Sequence, residues 1–331
     1  MIHVSIVTIP DAVVSSLAGP YDVFSYFNGL APKGPGFHPE LVGLSRDTFG
    51  TANGLPLTPQ RTLDEIGQTD IVYIPSLHLT DEGWTTGRYD PIVEWMRRMF
   101  DQGARLCGAC TGALLLAETG LLAGREATIH WAAKDTFAKN FPEVALRLEQ
   151  VLVATGPEGR IMMSGASGAW NDLVLYLVTR EIGPTAAQLV AKYFLLQWHP
   201  DGQTPYLRFQ ANLNHPDAAI RTAQAWMSNN FTRPQAVEEA MRASGLAERT
   251  FKRRFTKATG YAPIAYVQNL RIEEAKRALE RSGTAVDEIS WQVGYEDPAF
   301  FRRLFKRITS ITPSAYRRKF QIPQVYQSAA E

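Results

Sequence analysis

The first two thirds of the chain alternate short apolar runs, rich in β-branched residues, with segments of helical period, which is the rhythm of an open α/β sheet. His3 to Ile9 predicts a first strand, Leu17 to Phe27 a helix, Asp70 to Pro75 a second buried strand, and Ile92 to Phe100 an amphipathic helix. Ala104 to Cys107 then leads as a strand into the turn Gly108-Ala109-Cys110-Thr111-Gly112, with a helical run, Leu114 to Glu118, directly behind it. A cysteine between small residues on a strand-turn-helix corner is the layout of a nucleophile elbow, because only small neighbours fit so sharp a turn. A helix starting behind such a thiol also favours its ionised form.

Beyond residue 220 the signals are those of helices and glycine turns. Displacing this region by fifty positions superposes Phe251, Arg253, Phe255, Thr259, Pro263, Ala265 and Tyr266 on Phe301, Arg303, Phe305, Thr309, Pro313, Ala315 and Tyr316. One supersecondary unit is therefore present twice. Val237, Ala240 and Met241 precede Ser244-Gly245-Leu246, and Val286, Ile289 and Val293 precede Gly294-Tyr295, so each copy reads as helix, glycine turn, helix. Thr284 with Asp287 resembles a capping box, and Asp297-Pro298 supplies an N-cap and a proline at N1.

At about 100° per residue, Phe251 and Phe255 share one face of the second helix of the first copy, and Arg249, Lys252, Arg253 and Thr256 share the other. In the second copy Phe301 and Phe305 turn inward, and Ala299, Arg302, Arg303 and Lys306 turn outward. A solvated face would explain one basic stripe, but it explains two in register poorly. Pro263 to Glu280 reads as a continuous helix between them, about 27 Å long. Ile264, Val267, Leu270 and Ala278 are among its apolar positions, and Glu273, Glu274, Lys276 and Arg277 among its polar ones. Major grooves on one side of B-DNA recur about every 34 Å, so this spacer suits two groove-reading helices on one duplex.

Charge sharpens the division. The formal net charge is +1, yet from Ile220 onward there are 19 Lys and Arg against 11 Asp and Glu, a net +8, leaving −7 for the rest. A basic module of this kind suits a polyanion, although charge alone describes a solvated surface equally well. Apolar runs such as Ala113 to Ala117 fall short of the roughly 18 residues of a membrane span, so no membrane partner is expected. The N-terminus reads as a strand rather than a signal peptide. Two cysteines cannot form a disulfide framework, which points to a reducing, cytoplasmic setting. Cys107 and Cys110 form a Cys-x-x-Cys pair, but one should end a buried strand while the other sits on the turn. No histidine among His3, His38, His78, His199 and His215 has a neighbour at ligand spacing, so neither a metal nor a cofactor is expected.

The Gly294-Tyr295-Glu296-Asp297-Pro298 turn, the Phe301-Arg302-Arg303-Leu304-Phe305-Lys306 run and the Thr312-Pro313-Ser314-Ala315-Tyr316-Arg317 ending resemble the C-terminal signature of the AraC family of transcriptional regulators. That resemblance implies an all-α domain with two helix-turn-helix motifs on double-stranded DNA. It places base contacts on Arg249, Lys252 and Arg253 and on Ala299, Phe300 and Arg303, with Arg302 and Lys306 beside them. Ala299 and Phe300 stand where family members often carry polar residues, which implies either weaker base readout there or readout through thymine methyl groups.

Leu17-Ala18-Gly19-Pro20-Tyr21-Asp22-Val23-Phe24, the elbow, and the segment through Ile129-His130-Trp131 resemble the class I glutamine amidotransferase-like superfamily, in its isocyanide-hydratase and intracellular-protease-like branch. A flavodoxin-like α/β sheet is implied. Fused to an AraC-type domain, it implies a ligand-sensing domain for a small metabolite such as an amine or amino-acid derivative. A homodimer is implied too, and RNA polymerase as partner of an activator. Ser16 occupies the position where the hydratase branch carries a carboxylate, and Thr111 the position where other members carry histidine. Ligand contact is therefore expected at Cys110, Thr111, Ser16, Gly19 and His130, with Cys110 a relic rather than a working nucleophile. A cysteine-dependent hydratase or amidohydrolase and an oxidant sensor at Cys110 stay open as alternatives. The expected organisation is a sensing domain at 1–208, a linker at 209–219, a DNA-binding domain at 220–320 and a tail at 321–331. Gly165-Ala166-Ser167-Gly168 is a further candidate, either as an anion-binding turn or as a plain loop before a core helix.

Overall fold

The computed structural model describes residues 1–31, 34–80, 83–323 and 326. It divides into two compact units, Met1–Gln203 and Thr204–Glu331. Of the expected tail, 324, 325 and 327–331 lie outside the described residues.

The first unit is built on a sheet of seven strands: β1 (Ile2–Val7), β2 (Phe37–Gly43), β3 (Arg61–Thr62), β4 (Ile71–Ile74), β5 (Arg105–Ala109), β6 (Leu152–Thr155) and β7 (Ile161–Ser164). Their order is β6-β7-β5-β4-β1-β2-β3, and all neighbours are parallel except β6 with β7. All four residues of β4 are buried, as expected for a parallel strand covered on both faces. The helices of this unit are α1 (Val14–Leu30), α2 (Asp90–Asp101), α3 (Gly112–Glu118), α4 (Lys134–Asn140), α5 (Trp170–Glu181) and α6 (Pro184–Phe194). Helices α1, α5 and α6 pack on one another, with α1 on β2 and α5 on β7; α2 and α3 pack together and on β5. One apolar core runs through the unit. No described helix is long and apolar enough to cross a membrane.

The second unit is helical: α7 (Ala218–Asn230), α8 (Ala236–Ser244), α9 (Glu248–Thr259), α10 (Pro263–Arg281), α11 (Val286–Gln292), α12 (Pro298–Thr309) and α13 (Pro313–Phe320). The fifty-residue repeat survives to the residue, since α12 and α13 begin fifty positions after α9 and α10. Phe255 meets Tyr266 edge-on at 5.2 Å, and Phe305 meets Tyr316 edge-on at 5.5 Å. Thr259 and Thr309 each donate to the carbonyl four residues back, at 2.8 Å. Two separate cores result, and α10 serves both, with Tyr266 and Val267 in the first and Ile272, Ala275 and Leu279 in the second.

Two expectations change. Ala285 rather than Thr284 is the N-cap of α11, and no side chain caps it, whereas Asp297 does cap α12 by accepting from Ala299 N. Lys276, counted among the polar positions of α10, is buried and donates to Leu207 O and Glu273, both at 2.7 Å. Within residues 209–219, Phe209 lies edge-on to Tyr261 and Tyr266, and Asn212 donates to Ala258 O.

Candidate functional site

The elbow forms as its sequence requires. Cys110 follows β5 with φ 54°, a left-handed backbone that costs a non-glycine residue about 1–3 kcal/mol and collects at functional positions. Its amide donates to Ser164 O at 2.8 Å, tying the turn to the end of β7. Gly112 starts α3 so close to the end of β4 that a Cβ there would sit 2.5 Å from Pro75 O and 2.9 Å from Ile74 O. Gly112→Ala should therefore lower stability by about 1–3 kcal/mol in urea unfolding. An unchanged midpoint would mean that the turn is less closely packed.

What surrounds the thiol decides its chemistry. Cys110 is only 2% exposed, and its Sγ lies 3.4 Å from Ser167 Oγ. Ser16 Oγ accepts from Ser76 N at 2.8 Å and donates to Val13 O at 2.8 Å. Thr111 Oγ1 accepts from Leu77 N at 2.7 Å and donates to Leu77 O at 2.6 Å. Both hydroxyls thus hold the loop after β4, Thr111 from the elbow itself. Gly19 lies under the Trp170 ring, which a Cβ would meet at 2.6 Å, so its small size serves packing. His130 uses Nδ1 to accept from Ala132 N at 3.0 Å, and burial holds its imidazole below the ordinary pKa. Ser16, Cys110 and Thr111 are therefore gathered at one loop, while His130 makes no hydrogen bond to any of them among the described residues.

Cys107 is wholly buried in β5, where burial pushes its thiol pKa far up and leaves it inert near neutrality. Beyond the loop held by Ser16 and Thr111 lies a cleft of about 500 Å³, lined by Asp11, His78, Thr80, Trp84 and Arg88 among others. Arg88 pairs with Asp11 at 2.6 Å, and Tyr89 donates to the same carboxylate at 2.8 Å.

Ser167 is a contact the sequence indicated only as part of a glycine-rich loop. Asp172, 5% exposed on α5, accepts from His199 N at 2.8 Å and pairs with His199 Nδ1 at 2.7 Å, although His199 stands alone in sequence. Likewise His3 and His38, 35 positions apart, face each other on paired strands, contrary to the expectation that neither has a neighbour at ligand spacing.

In the second unit, α9 exposes Arg249, Lys252 and Arg253, and α12 exposes Ala299, Phe300, Arg302, Arg303 and Lys306. Not all are equally available. Arg302 pairs with Asp287 of α11, and Lys252 with Glu248 at 2.5 Å. Arg303 is 4.0 Å from Asp297, and Arg249, Arg253 and Lys306 make no ion pair among the described residues. Phe300 is 41% exposed beside Tyr295. Arg254, between these positions, clamps the α7 N-cap Asp217 with two hydrogen bonds of 2.9 and 2.6 Å.

The residue that sequence reasoning missed altogether is Arg271, midway along α10. It is 9% exposed and donates to Phe231 O at 2.7 Å, Arg233 O at 2.8 Å and Gly294 O at 2.8 Å, with its guanidinium 4.9 Å from the Tyr295 ring centroid. Gly294 has φ 91°, and a Cβ there would meet Thr232 O at 2.3 Å. The two helix-turn-helix motifs are thus fastened at one point, by the backbone of 231–233, the turn at 294 and a single cation.

Comparison with known proteins agrees with both halves. A DJ-1/PfpI family model matches residues 4–160, and a helix-turn-helix domain model matches residues 241–319. The chain is 25% identical over 267 residues to the HTH-type transcriptional regulator CdhR of Pseudomonas aeruginosa, covering 80% of this chain and 77% of that one. It is 28% identical over 227 residues to the HTH-type transcriptional regulator GlxA of Rhizobium meliloti, covering 68% of each. An isonitrile hydratase of Pseudomonas putida is 26% identical over 193 residues, covering 57% of this chain and 76% of the hydratase. A crystal structure of an AraC family transcriptional regulator from Pseudomonas putida superposes with a TM-score of 0.50 at 17% identity, covering 59% of this chain and all of the other, which is a likeness of fold. The chain accordingly joins a DJ-1/PfpI domain to an AraC-type helix-turn-helix domain, as a DNA-binding transcriptional regulator.

Proposed function

We propose that the first unit senses a small metabolite, an amine or amino-acid derivative, and performs no catalysis on it. The observation that carries this reading is that the hydroxyls of Ser16 and Thr111 are already engaged with backbone groups. A nucleophilic cysteine needs a base within hydrogen-bond reach, and among the described residues the Cys110 thiol meets only Ser167. A ligand seated at the elbow or in the adjoining cleft would press on the 76–78 loop and, through Cys110, on Ser164 and Ser167. Gly165, between them, lies against the amide of buried Gln203, which a Cβ at 165 would meet at 2.1 Å. Gln203 donates from its side chain to Thr128, Ile129 O and Gln150 O, and it is the last residue of the first unit. Strain at the elbow therefore has a short route to the point where the chain leaves for the DNA-binding helices.

On the DNA side, the reading assigns Arg249, Lys252 and Arg253 to one groove segment and Ala299, Phe300 and Arg303 to the next, with Arg302 and Lys306 toward phosphates. Homodimers on a two-part operator, contact with RNA polymerase as an activator, and a cytoplasmic location complete the proposal. The test is a thermal-shift series on the full chain with amines, betaines and amino-acid derivatives. A binder should raise the melting point of the wild type and of Cys110→Ser alike, with no turnover in either. Turnover of an isonitrile or amide that vanishes in Cys110→Ser would replace sensing by hydratase chemistry, and DNA binding abolished by peroxide in the wild type but not in that variant would replace it by oxidant sensing.

A further inference from the structure

We propose that His3, His38 and Glu40 form a binding site for a divalent transition-metal ion, with Zn²⁺ the ion it fits. Strands β1 and β2 are parallel, and their register sets His3 directly beside His38. Glu40 lies two residues beyond His38 and so on the same face of the sheet. The donor atoms of the three side chains all fall within 4.8 Å of one another. Glu40 Oε2 is 2.9 Å from His3 Nε2, and Glu40 Oε1 is 3.8 Å from His38 Nε2. Zinc bonds to nitrogen and oxygen of about 2.0–2.2 Å place tetrahedral ligands roughly 3.3–3.5 Å apart. The two observed separations, one to each carboxylate oxygen, lie on either side of that spacing and every donor pair is within 4.8 Å, so rotamer changes of the three side chains would bring them to it.

The chemistry of the donors narrows the ion. Two imidazoles with one carboxylate suit borderline ions such as zinc, whereas magnesium and calcium seek oxygen. Three protein ligands leave a fourth position for water, and the His38 side chain, 58% exposed, leaves that position open to solvent. Among the described residues Arg61 pairs with Glu40 at 3.5 Å; it is also held by Glu65 through the carbonyl at 2.8 Å and the carboxylate at 3.5 Å, so it keeps a partner when Glu40 turns to the ion. The site sits at the N-terminal ends of β1 and β2, while Cys110 follows the C-terminal end of β5. In a parallel sheet these are opposite ends, so the metal would brace the sheet without entering the elbow.

The full chain, stripped with a chelator, would be titrated calorimetrically with Zn²⁺ and melted with and without it. Binding of one equivalent with micromolar or tighter Kd and a raised melting point are expected, with Mg²⁺ inert at equal concentration. His38→Ala and Glu40→Gln should each weaken Zn²⁺ by at least about tenfold, and His38→Ala, which alters an exposed side chain, should leave the metal-free melting point unchanged. Cys110→Ser should bind as the wild type does. Millimolar or weaker Zn²⁺ binding, unaltered affinity in His38→Ala and Glu40→Gln, or loss of binding in Cys110→Ser would each overturn the proposal.

Discussion

Arg271→Ala should cost the helical unit about 3–5 kcal/mol. Three carbonyls, of Phe231, Arg233 and Gly294, would lose a charged donor at once in a buried setting. Each bond to a charged group is worth about 1.5–3 kcal/mol, and three on one side chain do not add fully. Urea unfolding followed by the helical circular dichroism signal measures it. Arg271→Lys should fall between, because one ammonium cannot hold the same three acceptors with a planar fork. A midpoint equal to wild type would show that water replaces the guanidinium without cost. Because the same side chain touches both motifs, operator binding should weaken along with stability, in a way that replacing an exposed arginine would not reproduce.

Replacing Arg253 and Arg303 together by alanine should nearly abolish specific DNA binding while leaving the fold intact. Both sit two residues, about half a turn, from the buried phenylalanines, at repeat-equivalent positions on α9 and α12, and both are exposed. Each lost bidentate base contact is worth about 1–3 kcal/mol. Mobility shifts on the DNA upstream of the protein's own coding sequence, run at several salt concentrations, provide the measurement. Affinity should fall at every salt concentration and the discrimination against unrelated DNA should shrink. Binding that survives the double replacement would sink the assignment of these faces to the grooves. Arg302→Ala should do less, since Asp287 already holds that side chain.

The repeat made the second unit legible before any coordinate was known. Phenylalanines every four residues demand burial on one face, and duplicated spacing demands two copies of one packing scheme; both appear as Phe251 and Phe255 and as Phe301 and Phe305. The elbow was legible for a similar reason, because only a turn of small residues can carry a side chain at positive φ between a buried strand and a helix. Polar residues were harder. Lys276 looks like a surface position until a segment seventy residues away offers Leu207 O to it.

The sequence by itself determined periodicities: which faces are apolar, where glycine or proline punctuates a helix, and that a basic module follows an acidic one. Those are local rules, set by backbone sterics and by the exclusion of apolar surface from water, and they act within a turn or two of chain. Only the tertiary structure decided which distant groups meet. It set His3 beside His38, gave Asp172 its histidine, spent the hydroxyls of Ser16 and Thr111 on a loop, and aimed Arg271 at three carbonyls from two motifs. Such pairings depend on directional bonds between segments whose approach is fixed by the whole fold, and no one-dimensional spacing encodes that direction.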